Sequence, residues 1–296
     1  MSKEAVWVNY GIDGACSYLI MRWLRGDNIE VRYTTAKRFR QDFVEWQIAA
    51  GVTTYDKIFV VGLDVSKCID VIDMCNVVVV DHHDTHVEHK HLYNNAKTAI
   101  TYTTSTTRLL FRLFREELIK RLTPQQLQLI ALVNDHVSGT RALAASSGIN
   151  ALYWSYSGDR LQRFAHDFAN GFQSFNAHQK ASISLYNKKL AHLINDLEIF
   201  QGNIPFRGIN NKILSTFATT SYDEITHHLL AEYQGDIAII VNLEARAVFM
   251  KKSLKCAVPL GKLAERLCDG GGSDNHAGGS VTDKFLDFCK TLQRVC

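Results

Sequence analysis

The sequence predicts an α/β protein in which a parallel-sheet domain over residues 1–157 is joined by a helical connector, 158–201, to a smaller α/β domain, 202–296. Three observations carry this reading. Short runs of apolar residues alternate with segments of helical periodicity from residue 5 to about 137. The run at 77–80 is four consecutive valines, the continuous pattern of a strand buried on both faces. After a long helical stretch, the strand and helix pattern restarts near Gly202.

With 296 residues, 46% of them hydrophobic, the chain can bury two medium cores. A formal charge of +3 is close to neutral for this length, so any anion binding must be local. The seven cysteines, Cys16, Cys68, Cys75, Cys256, Cys268, Cys289 and Cys296, are odd in number and contain no C-x-x-C pair. They read as reduced thiols in a cytoplasm and not as a disulfide framework or zinc knuckle. The first residues lack a basic and then apolar leader, and no run approaches about 18 apolar residues, so neither secretion nor a membrane is expected.

In chain order, residues 5–10 predict a first strand, 11–14 a turn and 16–24 an apolar helix. Asp13 lies between strand and helix, where a carboxylate caps backbone N–H groups or binds metal. Residues 29–34 alternate as a second strand, 39–50 form a helix, and 57–63 a third strand closed by Asp64. A short helix over 69–75 leads to the strand at 77–81, which ends in Asp81-His82-His83. Beyond it, His86, Glu88, His89 and His91 read as a solvated, His-rich loop. A helix over 106–122 presents Leu109, Leu110, Leu113, Phe114 and Leu118 to the core. A capping-box start at Thr123-Pro124-Gln125-Gln126 opens another helix, exposing Asp135 near its end.

Strand and helix alternation implies right-handed crossovers, which bring Asp13, Asp64, Asp81 and His82 to one sheet edge. A divalent cation could recruit such a set; the bland alternative is a polar turn rich in histidine.

In the connector, Leu161, Phe164, Phe168, Phe172, Ile183, Tyr186, Leu190, Leu193 and Leu197 form a packing stripe. The last domain reads as a strand at 212–217, a helix at 222–233, strands at 237–242 and 246–251, and a helix at 259–267. Lys251-Lys252-Ser253 at a strand end suits a compact anion. The stretch 269–280 contains Gly270, Gly271, Gly272, Ser273, His276, Gly278 and Gly279. Its backbone N–H groups could approach an anion closely, with a helix from about 281 adding its positive end; the alternative is a surface loop.

These residues resemble the DHH phosphoesterase superfamily, which includes RecJ-like exonucleases, nanoRNases and family II pyrophosphatases. The resemblance covers nearly the whole chain: Asp13 in Asn-Tyr-Gly-Ile-Asp-Gly, Asp64, Asp81-His82-His83 and Asp135 are similar to four successive motifs. The glycine stretch is similar to the signature of the DHH-associated second domain. The resemblance implies a metal-dependent hydrolase, usually with two manganese ions and with magnesium or cobalt as substitutes, acting in a cleft between the domains. It implies that Asp13, Asp64, His82 and Asp135 hold metal, that His83 acts electrostatically or in proton transfer, and that Asp81 orients the histidines. Lys252, Ser253, Gly271, Gly272, Ser273, His276 and Gly278 would hold substrate phosphate.

Two departures stand out. Where the family's first motif supplies a His or Asp and then an Asp, this chain has Asn9 and Gly11, so a second metal site loses most of its charge. The family's glycine-motif histidine aligns with Asp274, and His276 lies two residues later. The expected function is hydrolysis of short oligonucleotides or cyclic dinucleotides to mononucleotides. The alternatives are a pyrophosphatase-like or phosphomonoester hydrolase, and a catalytically weakened nucleotide-binding protein. A nucleotide substrate and, at most, a second copy of the chain are the expected partners. Tyr10, Tyr93, Tyr102, Tyr153 and Trp154 are candidates for stacking a base, with no sequence ground for choosing among them.

Overall fold

The structure is a computed structural model that describes residues 3–50 and 54–295. Its contacts divide the chain into two compact units, Met1–Asn187 and Lys188–Cys296. Cys16, Cys68, Cys75, Cys256, Cys268 and Cys289 are free thiols, and Cys296 lies outside the described residues. No helix among the described residues is long and apolar enough to cross a membrane.

The first unit is built on five parallel strands: β1 (Glu4–Asn9), β2 (Glu30–Thr34), β3 (Lys57–Val61), β4 (Val77–Asp81) and β5 (Lys97–Ile100). Their order is β2-β1-β3-β4-β5. The chain therefore moves outward from β1 to β2 and returns past β1 to reach β3, which opens a topological switch point between β1 and β3. The helices are α1 (Ile12–Arg25), α2 (Phe39–Ala50), α3 (Ile69–Ile72), α4 (Asp84–His89), α5 (Thr106–Leu113), α6 (Arg115–Arg121), α7 (Pro124–Val137), α8 (Ser146–Ser155), α9 (Arg160–Asp167) and α10 (Ala177–Asn195).

Alternate strand residues serve opposite layers. Val6, Val8, Phe59, Val61 and Val80 pack with Leu19 of α1, Leu109 of α5, Val133 of α7 and Phe164 of α9. Ala5, Trp7, Ile58, Val60, Val77 and Val79 pack with Phe39, Phe43 and Trp46 of α2 and Ile72 of α3. Trp7 meets those three aromatic rings edge-on at 5.5–5.6 Å. Burial on both faces explains why these strands read as continuous apolar runs.

Four local expectations change. Helix α1 starts at Ile12, so 11–14 is not a turn and Asp13 lies in the first helical turn. The start is seated directly on the end of β1: a Cβ on Gly14 would lie 2.1 Å from the Asn9 carbonyl oxygen, a contact that only glycine permits. The helix expected over 106–122 breaks at Phe114 into α5 and α6. The His-rich segment is α4 followed by a 3-10 turn, Lys90–Leu92, and leads into β5, an unexpected strand. The capping box at Thr123 forms as expected, with the Thr123 hydroxyl accepting the Gln126 N–H at 3.3 Å and Gln126 Oε1 accepting the Thr123 N–H at 2.9 Å.

The second unit has strands β6 (Phe200–Phe206), β7 (Ile209–Phe217), β8 (Ile237–Asn242), β9 (Ala247–Lys252), β10 (Gly271–Gly272), β11 (His276–Ser280) and β12 (Gln293–Arg294). They form one sheet in the order β10-β11-β9-β8-β7-β6-β12, with β7 and β8 parallel and the other pairs antiparallel. Its helices are α11 (Tyr222–Glu232), α12 (Leu260–Cys268) and α13 (Asp283–Cys289). Ile213, Ile239 and Met250 face Leu263, Leu267 and Phe285, whereas Leu214, Ala238 and Ile240 face Ile225 and Leu229. Strand β6 was not legible in the sequence, and the helix after the glycine stretch begins at Asp283, not 281.

The glycine stretch is a hairpin, with Gly271 opposite Gly278, which in turn pairs with Phe249 of β9. A Cβ on Gly278 would lie 2.6 Å from the Val248 carbonyl oxygen, so close strand packing accounts for that glycine.

The edge strand β5 is held beside β4 by one carboxylate. Asp73 accepts the backbone N–H groups of Asn94, Asn95 and Ala96 at 2.9, 2.8 and 2.8 Å. Dehydration works against its charge, but these amides outweigh it and hold its pKa below the ordinary value. Asp73→Asn is expected to cost about 1–2 kcal/mol in urea denaturation at pH 7. Because the folded pKa is depressed, the wild-type advantage is present above the ordinary carboxylate pKa and is lost as pH falls through the folded value. A cost that persisted undiminished in acid would contradict this role.

Candidate metal centre

The parallel strands of the first unit end in polar residues along one edge. Val8 of β1 is in register with Val61 of β3, and Val61 with Val80 of β4, so Asn9, Gly62 and Asp81 come next on three adjacent strands. Gly62 has φ +68°, and its Cα is overlain by Thr106, whose Oγ1 would lie 2.6 Å from a Cβ there. A side chain at position 62 would push Thr106 away from the edge.

Asp81 anchors the site. Its side chain has no solvent exposure, and its oxygens meet His83 Nδ1 at 2.8 Å and His86 Nδ1 at 2.7 Å. His86 is itself fully buried, with Nε2 2.8 Å from the Tyr93 hydroxyl. Burial alone would raise the pKa of Asp81, but the positive potential and hydrogen bonds of His83 and His86 hold it well below the carboxylate range. With Asp81 ionised, each Nδ1 is the donor, and the His83 side chain keeps about a quarter of its surface exposed.

His82 and His83 sit with ring centroids 4.7 Å apart but are driven in opposite directions. Burial, then the charge of His83, lowers the pKa of His82 and favours its neutral form. Burial also opposes charge on His83, but the carboxylate of Asp81 and its hydrogen bond prevail and raise its pKa to about 9. The neutral ring suits a metal ligand, and the cationic ring suits an anion. His82 Nδ1 lies 3.0 Å from Thr106 Oγ1, which fixes the ring.

Asp64 follows β3. Its Oδ1 accepts the Ser66 N–H at 3.1 Å and the Ser66 hydroxyl at 2.7 Å, and its Oδ2 accepts the Thr85 hydroxyl. One ligand atom from each of Asp64, Asp81 and His86 lies within 4.8 Å of the others, as do atoms of Asp81, His82 and His83.

The other two expected ligands have different surroundings. Asp13 accepts the N–H groups of Thr106 and Thr107, each at 2.9 Å, and the Thr107 hydroxyl at 2.6 Å. It thus caps α5, 93 residues downstream. Thr106 links it to His82. Asp135 is buried rather than exposed and accepts the N–H groups of Ala142 and Leu143 at 3.1 and 2.9 Å. Burial would raise its pKa, but those donors hold it below the ordinary value. Neither Asp13 nor Asp135 joins the ligand groups found among the described residues.

Several participants escaped sequence reading. His86 was expected in a solvated loop, but it is the second partner of Asp81. Thr85 and Thr106 carry no motif beyond their place at helix starts.

The phosphate-binding candidates of the second unit make hydrogen bonds within that unit. Lys252 is buried, with Nζ donating to Asp274 Oδ2 at 2.7 Å and to the Val258 carbonyl at 2.9 Å. Ser253 donates its N–H to the Asp236 carbonyl at 2.9 Å. The Ser273 N–H reaches the His276 carbonyl at 2.7 Å, and the His276 N–H reaches Ser273 Oγ at 3.1 Å. Gly271, Gly272 and Gly278 belong to the hairpin ladder.

Two overlapping groups at this edge could hold a divalent cation: Asp64, Asp81 and His86, and Asp81, His82 and His83. A carboxylate offers about four lone-pair positions; three at Asp64 are taken, which leaves one on Oδ2. His82 adds an imidazole whose one hydrogen bond among the described residues is through Nδ1. Imidazole with carboxylate suits manganese, magnesium or cobalt. Asn9 Oδ1 is buried against Gly14 and has no hydrogen-bond partner among the described residues. Gly11 has no side chain to offer a second ion.

The sequence matches no protein-family model and no curated protein. Among solved structures, it is similar to PggH, a pGpG-specific phosphodiesterase from Vibrio cholerae, at 13% identity and a TM-score of 0.54, over 98% of this chain and 96% of that one. It is also similar to an exopolyphosphatase-related protein from Bacteroides fragilis, at 13% identity and a TM-score of 0.52, over 98% and 91% of the two chains. The likeness is one of fold and spans both units.

Proposed function

We propose that this protein is a metal-dependent phosphodiesterase that hydrolyses short oligonucleotides or cyclic dinucleotides to mononucleotides. The observation that carries the reading is the pair of histidines at the sheet edge, His82 against Thr106 and His83 against Asp81, beside the Asp64 carboxylate. The pGpG substrate of one structural neighbour supports a dinucleotide over a long polymer.

In this reading Asp64 and His82 hold the cation, with Asp13 close by through Thr106. Bound there, a divalent ion supplies Lewis-acid charge against a phosphoryl oxygen. The chain's own residues do the rest. Asp81 holds His83 in one orientation, and His83 presents a proton at Nε2 to an anionic phosphoryl group or departing oxygen. Thr106 keeps His82 facing the same edge, and Ser66 and Thr85 keep the Asp64 carboxylate in one rotamer.

A second reading is favoured by Asn9 and Gly11 and by the amide-bound carboxylates of Asp13 and Asp135: one cation is kept and a nucleotide is captured without turnover. Manganese-dependent hydrolysis of a 5′-labelled dinucleotide, run beside inorganic pyrophosphate, separates the possibilities. Release of mononucleotide with pyrophosphate left intact is expected. Tight nucleotide binding without hydrolysis in manganese, magnesium or cobalt would favour the second reading.

Asp64→Ala is expected to abolish turnover, at least a hundredfold, while leaving the circular dichroism spectrum and cooperative unfolding intact, because Asp64 is half-buried and packs no core. Full activity in a folded Asp64→Ala protein would remove Asp64 from the site.

A further inference from the structure

The reading above leaves open what holds the nucleoside part of a substrate. Five aromatic residues were candidates, and their surroundings now separate them. Tyr153 is 1% exposed and belongs to the core. Tyr93 is committed to His86. Trp154 is part-buried, with its indole N–H on Asn150 Oδ1 and the Arg160 guanidinium 5.3 Å from its ring centroid. Tyr102 is 61% exposed and has no ring neighbour among the described residues. Tyr10 differs from all of these.

Tyr10 is the first residue beyond β1, three residues before Asp13, at the switch-point edge. It is 39% exposed and meets Tyr33, near the end of β2 and 36% exposed, with ring centroids 5.3 Å apart and planes inclined at 46°. Val8 is in register with Tyr33, so the two tyrosines continue neighbouring strands on the face that carries α1. Arg160, the first residue of α9, donates from Nη1 to the Tyr10 hydroxyl at 3.3 Å and from Nε to the Tyr156 carbonyl at 3.1 Å. The pair is therefore braced from one side and open on the other.

Core packing does not account for two large rings left more than a third exposed side by side at a ligand-binding edge. Inorganic pyrophosphate or polyphosphate has no surface that would use them. A planar, uncharged, polarisable ligand would, since every nucleobase has a π-face that stacks on tyrosine. Resting on the phosphodiesterase reading, we infer that Tyr10 and Tyr33 form a nucleobase-stacking platform. It would bind one base of the substrate with little sequence preference, because stacking reads a π-face and not a hydrogen-bonding edge.

The test uses the full chain in magnesium, with adenosine 5′-monophosphate and ribose 5-phosphate as probes and ligand-detected saturation-transfer NMR and calorimetry as readouts. Saturation is expected to reach the adenine protons, with adenosine monophosphate binding at least tenfold more tightly than the base-free sugar phosphate. Tyr33→Ala and Tyr10→Leu, the latter keeping apolar bulk without a π-face, should each weaken the nucleotide about tenfold or more. Ribose 5-phosphate binding should not change, and Tyr33→Phe should stay within twofold of wild type. Equal binding of the two probes by wild type, or unchanged nucleotide affinity in folded Tyr33→Ala and Tyr10→Leu, would overturn the platform. Dinucleotide hydrolysis with an unchanged KM in both variants would sink the platform and spare the phosphodiesterase reading. Tyrosine-dependent nucleotide binding without hydrolysis in any metal would do the reverse.

Discussion

The first unit depends on a carboxylate withheld from water. Asp81 ends a strand that is buried on both sides, and an ionised group with no solvent exposure persists only if both oxygens are paired. His83 and His86 supply those partners, Tyr93 holds His86, and the segment between Asp81 and Tyr93 must fold back to deliver them. Helix α4 is that return. The polar edge is thus a consequence of the apolar sheet: with Val77, Val79 and Val80 committed to the two cores, the first residues free to carry chemistry are those at the strand ends.

Much of this was legible because it follows from burial. Continuous valines mark a two-sided strand, Leu161 and Phe164 mark the packed face of α9, and Thr123-Pro124 marks a helix start; Phe168 and Phe172, expected on the same helical stripe, are buried beyond the helix's end at Asp167. What stayed hidden depends on contacts distant in sequence. The start of α1 at Ile12 follows from the seating of Gly14 on Asn9, which no local pattern announces. Strand β5 is weakly apolar and exists because Asp73 gathers three amides beside β4. The glycine stretch was legible as close backbone approach, but what it approaches is the neighbouring strand β9.

Several candidate residues were legible by their place at strand ends, but not the partners that each would meet. A carboxylate at an element end can satisfy amides or hold a cation, and sequence spacing is the same for both. Asp64 keeps an unused lone pair, whereas Asp13 and Asp135 each stabilise a chain segment through backbone N–H groups. Lys252 shows the same ambiguity for a cation: its position at the end of β9 invites an anion, and Asp274, two residues before His276, is the anion it meets. These partners reduce the positive charge that the hairpin offers.

The most direct measurement is anomalous diffraction at the manganese edge from crystals grown with the ion. The account predicts one peak, about 2.0–2.3 Å from His82 Nε2 and from an Asp64 oxygen, with Asp81 still between His83 and His86. A peak that leaves His82 and Asp64 uncoordinated, or no peak at this edge in metal-saturated crystals, would contradict it.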